Sequence, residues 1–265
     1  MSYETIILER IGDVARLSIN RPEKRNAVNE KVHREIRAAI AEITGSAPAK
    51  ALILTGTGDR AFCSGQDLSA RKPQGDGPPT RDLGAGLEQY YNALIRRLRD
   101  IEMPVITALN GVAAGAGAGV ALAADVILAA RSARMVISFC RVGLIPDAGV
   151  TFHLPRFIGE NRALAMALTA DPVDAETAER WGLVWKVYDD DALQDEALAL
   201  AEKLSKLSPR VVQRTRQAMR SAMSNDLNAQ LTVERDLQRE VGFGHDYAEG
   251  VRAFLEKREP RFTGT

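Results

Sequence analysis

From Gly111 to Gly119 the chain reads GVAAGAGAG, a run with no side chain larger than valine. Glycines at this density belong where two stretches of main chain approach more closely than side chains allow. The run lies in a long apolar stretch from Val105 to Ala130, interrupted by Asn110, the glycines and Asp125. Those interruptions favour buried strand, helix and strand over a membrane span. A strand is expected at Val105–Leu109 after Pro104, a helix to about Ala124, and strands near Val126–Ala129 and Met135–Ser138.

Upstream, Thr5–Glu9 and Val14–Asn20 read as a hairpin around Gly12-Asp13. Val32, Ile36, Ile40 and Ile43 recur at helical spacing after Asn29, and Ala51–Thr55 is a short apolar run that suits a buried strand. The Gly- and Pro-rich segment 71–86 reads as a loop or lid, followed by a helix through Tyr90–Leu98. Beyond about Asn161 the pattern is mostly helical, with Asp174 as one N-cap and Ser208-Pro209 as another helix start. Strands dominate the first half and helices the second, with no composition break between independent domains.

Lys+Arg and Asp+Glu are balanced at 35 each, which gives no electrostatic footprint for nucleic acid or an anionic membrane. With Cys63 and Cys140 as the only cysteines, and no secretory signal in MSYETIILER, a cytoplasmic protein without disulfides is expected. His33, His153 and His245 lack metal-ligand spacing and read as surface or satisfied core residues, so no metal is expected. No GxSxG elbow occurs, and Ser64-Gly65 has no evident histidine partner. GAGAGV, from Gly115 to Val120, has valine where a dinucleotide loop needs a small residue, which disfavours a nicotinamide enzyme.

What remains is two backbone-rich turns and one carboxylate. The turns are AFCSGQDL (Ala61–Leu68) and NGVAAGAGAG (Asn110–Gly119). Two main-chain N–H groups aimed at one oxygen would stabilise an oxyanion, whereas glycines that only permit tight packing would look the same in sequence. The third feature is VGLIPDAG (Val142–Gly149), where Asp147 suits either an acid/base role or a helix N-cap.

These three segments, in this order and at these separations, resemble the crotonase (enoyl-CoA hydratase/isomerase) superfamily. NRPEKRNAVN (Asn20–Asn29) and FLEKREPRF (Phe254–Phe262) extend the resemblance over nearly the whole chain. It implies an α/β fold, a crotonase-type spiral of ββα units over residues 1–200 with a C-terminal helical trimerisation region over 201–265. It also implies an acyl-CoA substrate, no separate cofactor beyond the coenzyme A of that substrate, and a homotrimer or dimer of trimers. By the same resemblance the N–H groups of Gln66 and Ala116 form the oxyanion hole. Coenzyme A would lie along Lys24, Arg25, Ala27 and the segment Ser64, Gly65, Gln66, Asp67 and Leu68, closed by Phe254 and Lys257, often from a neighbouring subunit.

Hydratases of this family carry two glutamates, and here those positions hold Gly119 and Phe139. Adding water needs one group to activate it and another to manage the α-proton, so hydration is disfavoured. A single carboxylate suffices for isomerisation. CSGQDL, NGVAAGAGA, GLIPDAG and DYAEGVRAF are further similar to one subgroup, the isomerases that open ring-epoxide phenylacetyl-CoA to oxepin-CoA. In that subgroup the Asp of LIPD is the proposed base, which makes Asp147 the expected acid/base for that reaction or for 3-enoyl to 2-enoyl-CoA conversion. The alternatives are an enoyl-CoA hydratase and a non-catalytic acyl-CoA-binding subunit of a degradative complex.

Overall fold

The computed structural model describes residues 2–70 and 82–265. Strands β1 (Ile6–Ile11) and β2 (Val14–Ile19) form the expected antiparallel hairpin, and Asn29 caps α1 (Glu30–Ile43) by accepting from the Val32 N–H. The Val32, Ile36, Ile40, Ile43 stripe is the buried face of α1. Strand β3 (Ala51–Gly56) then pairs in parallel with β2. Its residues are all buried, which is why the sequence there is a continuous apolar run instead of an alternation.

From β3 onward the chain winds as a spiral, and each turn gives one strand to each of two sheets. The first turn holds β3 and β4 (Ala61–Cys63), then α2 (Leu83–Leu87), one π-helical turn at Glu88–Asn92 and α3 (Ala93–Asp100). The second holds β5 (Val105–Leu109), β6 (Val112–Ala114) and α4 (Ala116–Leu122). The third holds β7 (Val126–Ala130), β8 (Arg134–Val136), α5 (Val150–Ile158) and α6 (Glu160–Thr169). After β9 (Val173–Asp174), α7 (Ala175–Arg180) and β10 (Lys186–Tyr188), the sheets read β1-β2-β3-β5-β7-β10 and β4-β6-β8-β9. Strands β4, β6 and β8 run parallel, so the segments that follow them leave from the same end of the smaller sheet.

Four helices complete the chain: α8 (Leu193–Ser205), α9 (Pro209–Ser221), α10 (Leu227–Gly242) and α11 (His245–Glu256). Asp174 caps α7, and Ser208 caps α9 with Pro209 at its first position, as expected. No helix among the described residues is long and apolar enough to cross a membrane.

Two expectations need correcting. The segment 71–86 is not a loop throughout: residues 71–81 lie outside the described residues, but 83–86 are helical because the Asp82 carboxylate accepts from the Ala85 N–H. The small-residue run is not simply a turn into a helix either, since Val112–Ala114 forms β6 between β4 and β8.

One carboxylate ties α9 to the spiral. Asp125 accepts from the Val105 N–H at 2.9 Å and pairs with Arg216 at 3.0 Å and Arg220 at 2.9 Å. These three side chains are 10–26% exposed, so the pairing is only partly screened by water. Asp125→Ala is expected to lower the unfolding free energy in urea by roughly 2–3 kcal/mol, below the ~3–5 kcal/mol of a fully buried broken pair. A change within 0.5 kcal/mol, the ordinary range for a surface substitution, would show that the link carries no weight.

Candidate active site

The three segments singled out in the sequence follow β4, β6 and β8, at the carboxyl ends of adjacent parallel strands. That is where open α/β sheets leave a crevice for ligands. After β4, Gln66 forms a parallel bridge with Val28: the Val28 N–H donates to Gly65 O at 2.7 Å and the Asp67 N–H to Val28 O at 2.8 Å. In such a bridge the residue between those two bonds turns its own N–H away from the partner. The Gln66 N–H therefore faces the β6 side of the loop.

After β6, Gly115 (φ 52°, ψ −127°) swings the chain into α4, whose first residue is Ala116. An N–H at a helix start has no acceptor within its own helix. Among the described residues neither the Gln66 nor the Ala116 N–H has a main-chain acceptor. The two turns are pressed together. A Cβ on Gly65 would stand 2.8 Å from Ala114 O and 3.2 Å from Ala116 N, and one on Gly117 would stand 2.2 Å from Cys63 O.

After β8 the chain passes buried Phe139, then an exposed apolar rim that includes Ile145, and reaches partly buried Asp147. Asp147 is not a helix cap: the N-cap of α5 is Gly149, which makes no side-chain cap bond. Its neighbour Ala148, at φ 50° and 1% exposed, packs directly on α4. A Cβ on Gly119 would lie 2.4 Å from Ala148 O and 2.7 Å from Ala148 Cβ. Gly119 is one helical turn from Ala116, so the segment that carries Asp147 packs on the first turn of the helix that Ala116 begins. Near the other departure from the hydratase pattern, the tip of the Phe139 ring lies 4.0 Å from where a Cβ on Gly115 would be.

The N-terminal motif buttresses this site. Arg25 and Asn26 both take positive φ, and Asn26 is 1% exposed. The Asn26 Oδ1 accepts from the Arg21 N–H at 3.0 Å, while its Nδ2 donates to Thr57 O at 3.0 Å and Ala61 O at 2.7 Å. Ser64 N–H donates to Arg25 O at 3.1 Å, so exposed Lys24 and Arg25 and buried Ala27 lie against Ser64–Leu68. Asp67 turns inward to Arg21 at 2.9 Å and accepts from the Ser69 hydroxyl at 2.6 Å. Its side chain holds the loop in place and is not turned out toward a ligand. The Arg21–Asp67 pair joins residues 46 apart and left no local signal in the sequence.

Phe254 (82% exposed) and Lys257 belong to the end of α11. Phe254 lines a cavity with residues of α8, α9, α10 and α11, none from the Lys24 or Ser64–Leu68 segments. One chain therefore does not bring Phe254 to that site. His33 and His153 are buried, and the described residues contain no cluster of His, Cys, Asp and Glu suited to a metal.

The enoyl-CoA hydratase/isomerase family model matches residues 9–265. The chain belongs to that family. It is 46% identical, over 95% of both chains, to 1,2-epoxyphenylacetyl-CoA isomerase of Escherichia coli (strain K12). It is 44% identical to a probable enoyl-CoA hydratase of Rhodobacter capsulatus over the full length of both. The crystal structure of an enoyl-CoA hydratase from Bacillus anthracis superposes with a TM-score of 0.92 at 30% identity, covering 99% of this chain and 100% of that one. The crotonase-type α/β spiral implied by the motifs is thus the fold of this family member.

Two outcomes test the site's construction. Gly119→Ala is expected to destabilise the protein by about 1–3 kcal/mol, the usual effect of overpacking, read by urea denaturation. Unchanged stability would mean that Ala148 does not rest on α4. The Asp67 carboxyl is held below the usual range, first by the Ser69 hydroxyl and then, against burial, by Arg21. A depressed native pKa gives stabilisation that is complete above the unfolded value of ~3.9 and is lost as pH falls through the native one. Asp67→Asn should therefore flatten the fall in stability below about pH 4; an unaltered acid limb would count against the pairing.

Proposed function

We propose that the chain is an acyl-CoA isomerase that runs on one carboxylate, Asp147, and an oxyanion hole formed by the N–H groups of Gln66 and Ala116. The observation that carries this is the closed slot at position 119. A hydratase needs a second acid/base group there, and Ala148 leaves no room for even a Cβ on Gly119. With buried Phe139 at the other glutamate position, Asp147 is the carboxylate left beside the hole.

In this reading the thioester oxygen accepts from both N–H groups. Asp147 takes a proton from the α-carbon, and the C–H electron pair moves into the thioester as an enolate. Returning that proton to the γ-carbon shifts a 3,4 double bond to the 2,3 position. With a ring-1,2-epoxide of phenylacetyl-CoA, the carbon–carbon bond shared by epoxide and ring opens, the proton returns to the ring, and the product is the seven-membered oxepin-CoA. Nothing is added or lost in either case. The identity to 1,2-epoxyphenylacetyl-CoA isomerase favours the epoxide as substrate. Exposed Lys24 and Arg25, beside the Ser64–Leu68 backbone, suit the phosphates of coenzyme A. Phe254 and Lys257 would close the coenzyme A site of a neighbouring copy in a homotrimer or dimer of trimers.

The test is α-proton exchange in deuterated water with phenylacetyl-CoA, alongside turnover of a 3-enoyl-CoA. Asp147→Asn is expected to lower both by about 10²–10⁴-fold, the range for a general acid/base, while thioester affinity stays within a few-fold of native. A folded Asp147→Asn protein with native exchange and turnover would overturn the proposal, as would efficient hydration of a 2-enoyl-CoA by the native protein.

A further inference from the structure

Just past the C-terminus of α4, between α3, α5 and α9, lies a cavity of ≈ 370 Å³ bordered by Arg99, Arg156, Arg216 and Arg220. Ala124 on its wall is eight residues from Ala116, about 12 Å along a helical rise, so this space is separate from the oxyanion hole. Three of the arginines are accounted for. Arg216 and Arg220 pair with Asp125 and donate to the terminal carbonyls of α3, at Ile101, Leu98 and Arg99. Arg156 sits 3.7 Å from the Phe152 ring centroid and donates to Phe152 O at 2.8 Å.

Arg99 differs. Its guanidinium is half-buried, with no acceptor and no ion pair among the described residues. Burial first, then Arg220 and Arg216, draw its pKa down to about 10, against Asp125 and Asp100 as the facing carboxylates. His153, on the same wall, is held near 4 by burial and then by Arg99, Arg156 and Arg220, so at neutral pH it is an uncharged imidazole. The one carboxylate in the lining is Asp125, already paired with Arg216 and Arg220, and Thr215 adds a hydroxyl. The apolar part of the wall is open to solvent: Phe152, Phe157, Met219 and Met223 are 37–71% exposed. Four guanidiniums against one carboxylate, beside an aromatic and thioether wall, suit an anion that carries an apolar body. The volume falls within the range of small-molecule sites.

We propose that this cavity is a second ligand site, which binds an organic carboxylate with an aromatic or branched aliphatic body. The carboxylate meets the Arg99 guanidinium, a planar fork matched to its two oxygens. The body lies against Phe152, Phe157 and Met219. Inorganic phosphate would satisfy the charge but leave those walls wet.

Calorimetric titration with sodium benzoate, and separately with inorganic phosphate at matched ionic strength, tests this. Benzoate is expected to bind once per chain and phosphate more weakly. Arg99→Met should weaken benzoate by about tenfold or more, as for loss of a charged hydrogen bond, and Arg99→Lys should recover part of the affinity. Saturating acyl-CoA should leave benzoate binding unchanged, and thioester turnover should be native in both variants. The proposal is overturned if benzoate does not bind, if Arg99→Met binds it as the native protein does, if acyl-CoA displaces it, or if phosphate binds as tightly.

Discussion

The site depends on main chain touching main chain. Turn 63–66 and the start of α4 are close enough that a methyl group on Gly117 would fall 2.2 Å from Cys63 O, and one on Gly65 2.8 Å from Ala114 O. Neither clash could be relieved by a side-chain rotation, because each obstacle is backbone. The contact brings two N–H groups side by side for separate local reasons. Gln66 is turned outward by its bridge to Val28, and Ala116 is free because it begins a helix. Both N–H groups are fixed by the fold itself, so in the proposed role little reorganisation would oppose them as charge develops on a bound oxygen.

The same closeness bears on the proposed chemistry. At Gly119 the intruding neighbour is Ala148, a non-glycine residue in the left-handed region and almost completely buried. Such a conformation costs of order 1–3 kcal/mol and persists only where its surroundings over-determine it. Here the surroundings are α4 on one side and the α5 N-cap, Gly149, on the other. Position 119 and position 148 are therefore one feature. A larger residue at 119 would push away the segment that holds Asp147, so a second acid/base group there and the present placement of Asp147 exclude each other.

How much of this was legible in the sequence follows from how local each feature is. Helix α1 and strands β3 and β5 could be read because their burial shows in the spacing of their own apolar residues. Strands β4 and β6 are three residues each, too short for a period, and exist because the spiral stacks them on one another, while β8, expected near Met135–Ser138, runs over Arg134–Val136. Asp147 could be found as a residue but not distinguished from a cap, since that required knowing that α5 begins at Gly149. The fit of Ala148 on Gly119 left no trace in either segment, because it is made between turns of the spiral. Residues 71–81, part of the segment 71–86 read as a loop or lid, lie outside the described residues.

The far end of the structure follows from helix polarity. The last carbonyls of α3 need donors, and the negative end of a helix favours cations. Arg216 and Arg220 supply both, and Asp125 balances them while holding the start of β5 through the Val105 N–H. Gathering arginines there would be unfavourable without these acceptors, and the acceptors suffice for Arg216 and Arg220 alone. Arg156 lies over an aromatic face, which offsets part of a cation's lost hydration. Arg99 has no such compensation, although its own carbonyl accepts from both Arg216 and Arg220. Its main chain is thus committed to fastening α9 while its side chain faces the cavity. The polar groups that secure the C-terminal helices leave the Arg99 guanidinium without a direct ion pair among the described residues, with Asp125 committed to Arg216 and Arg220.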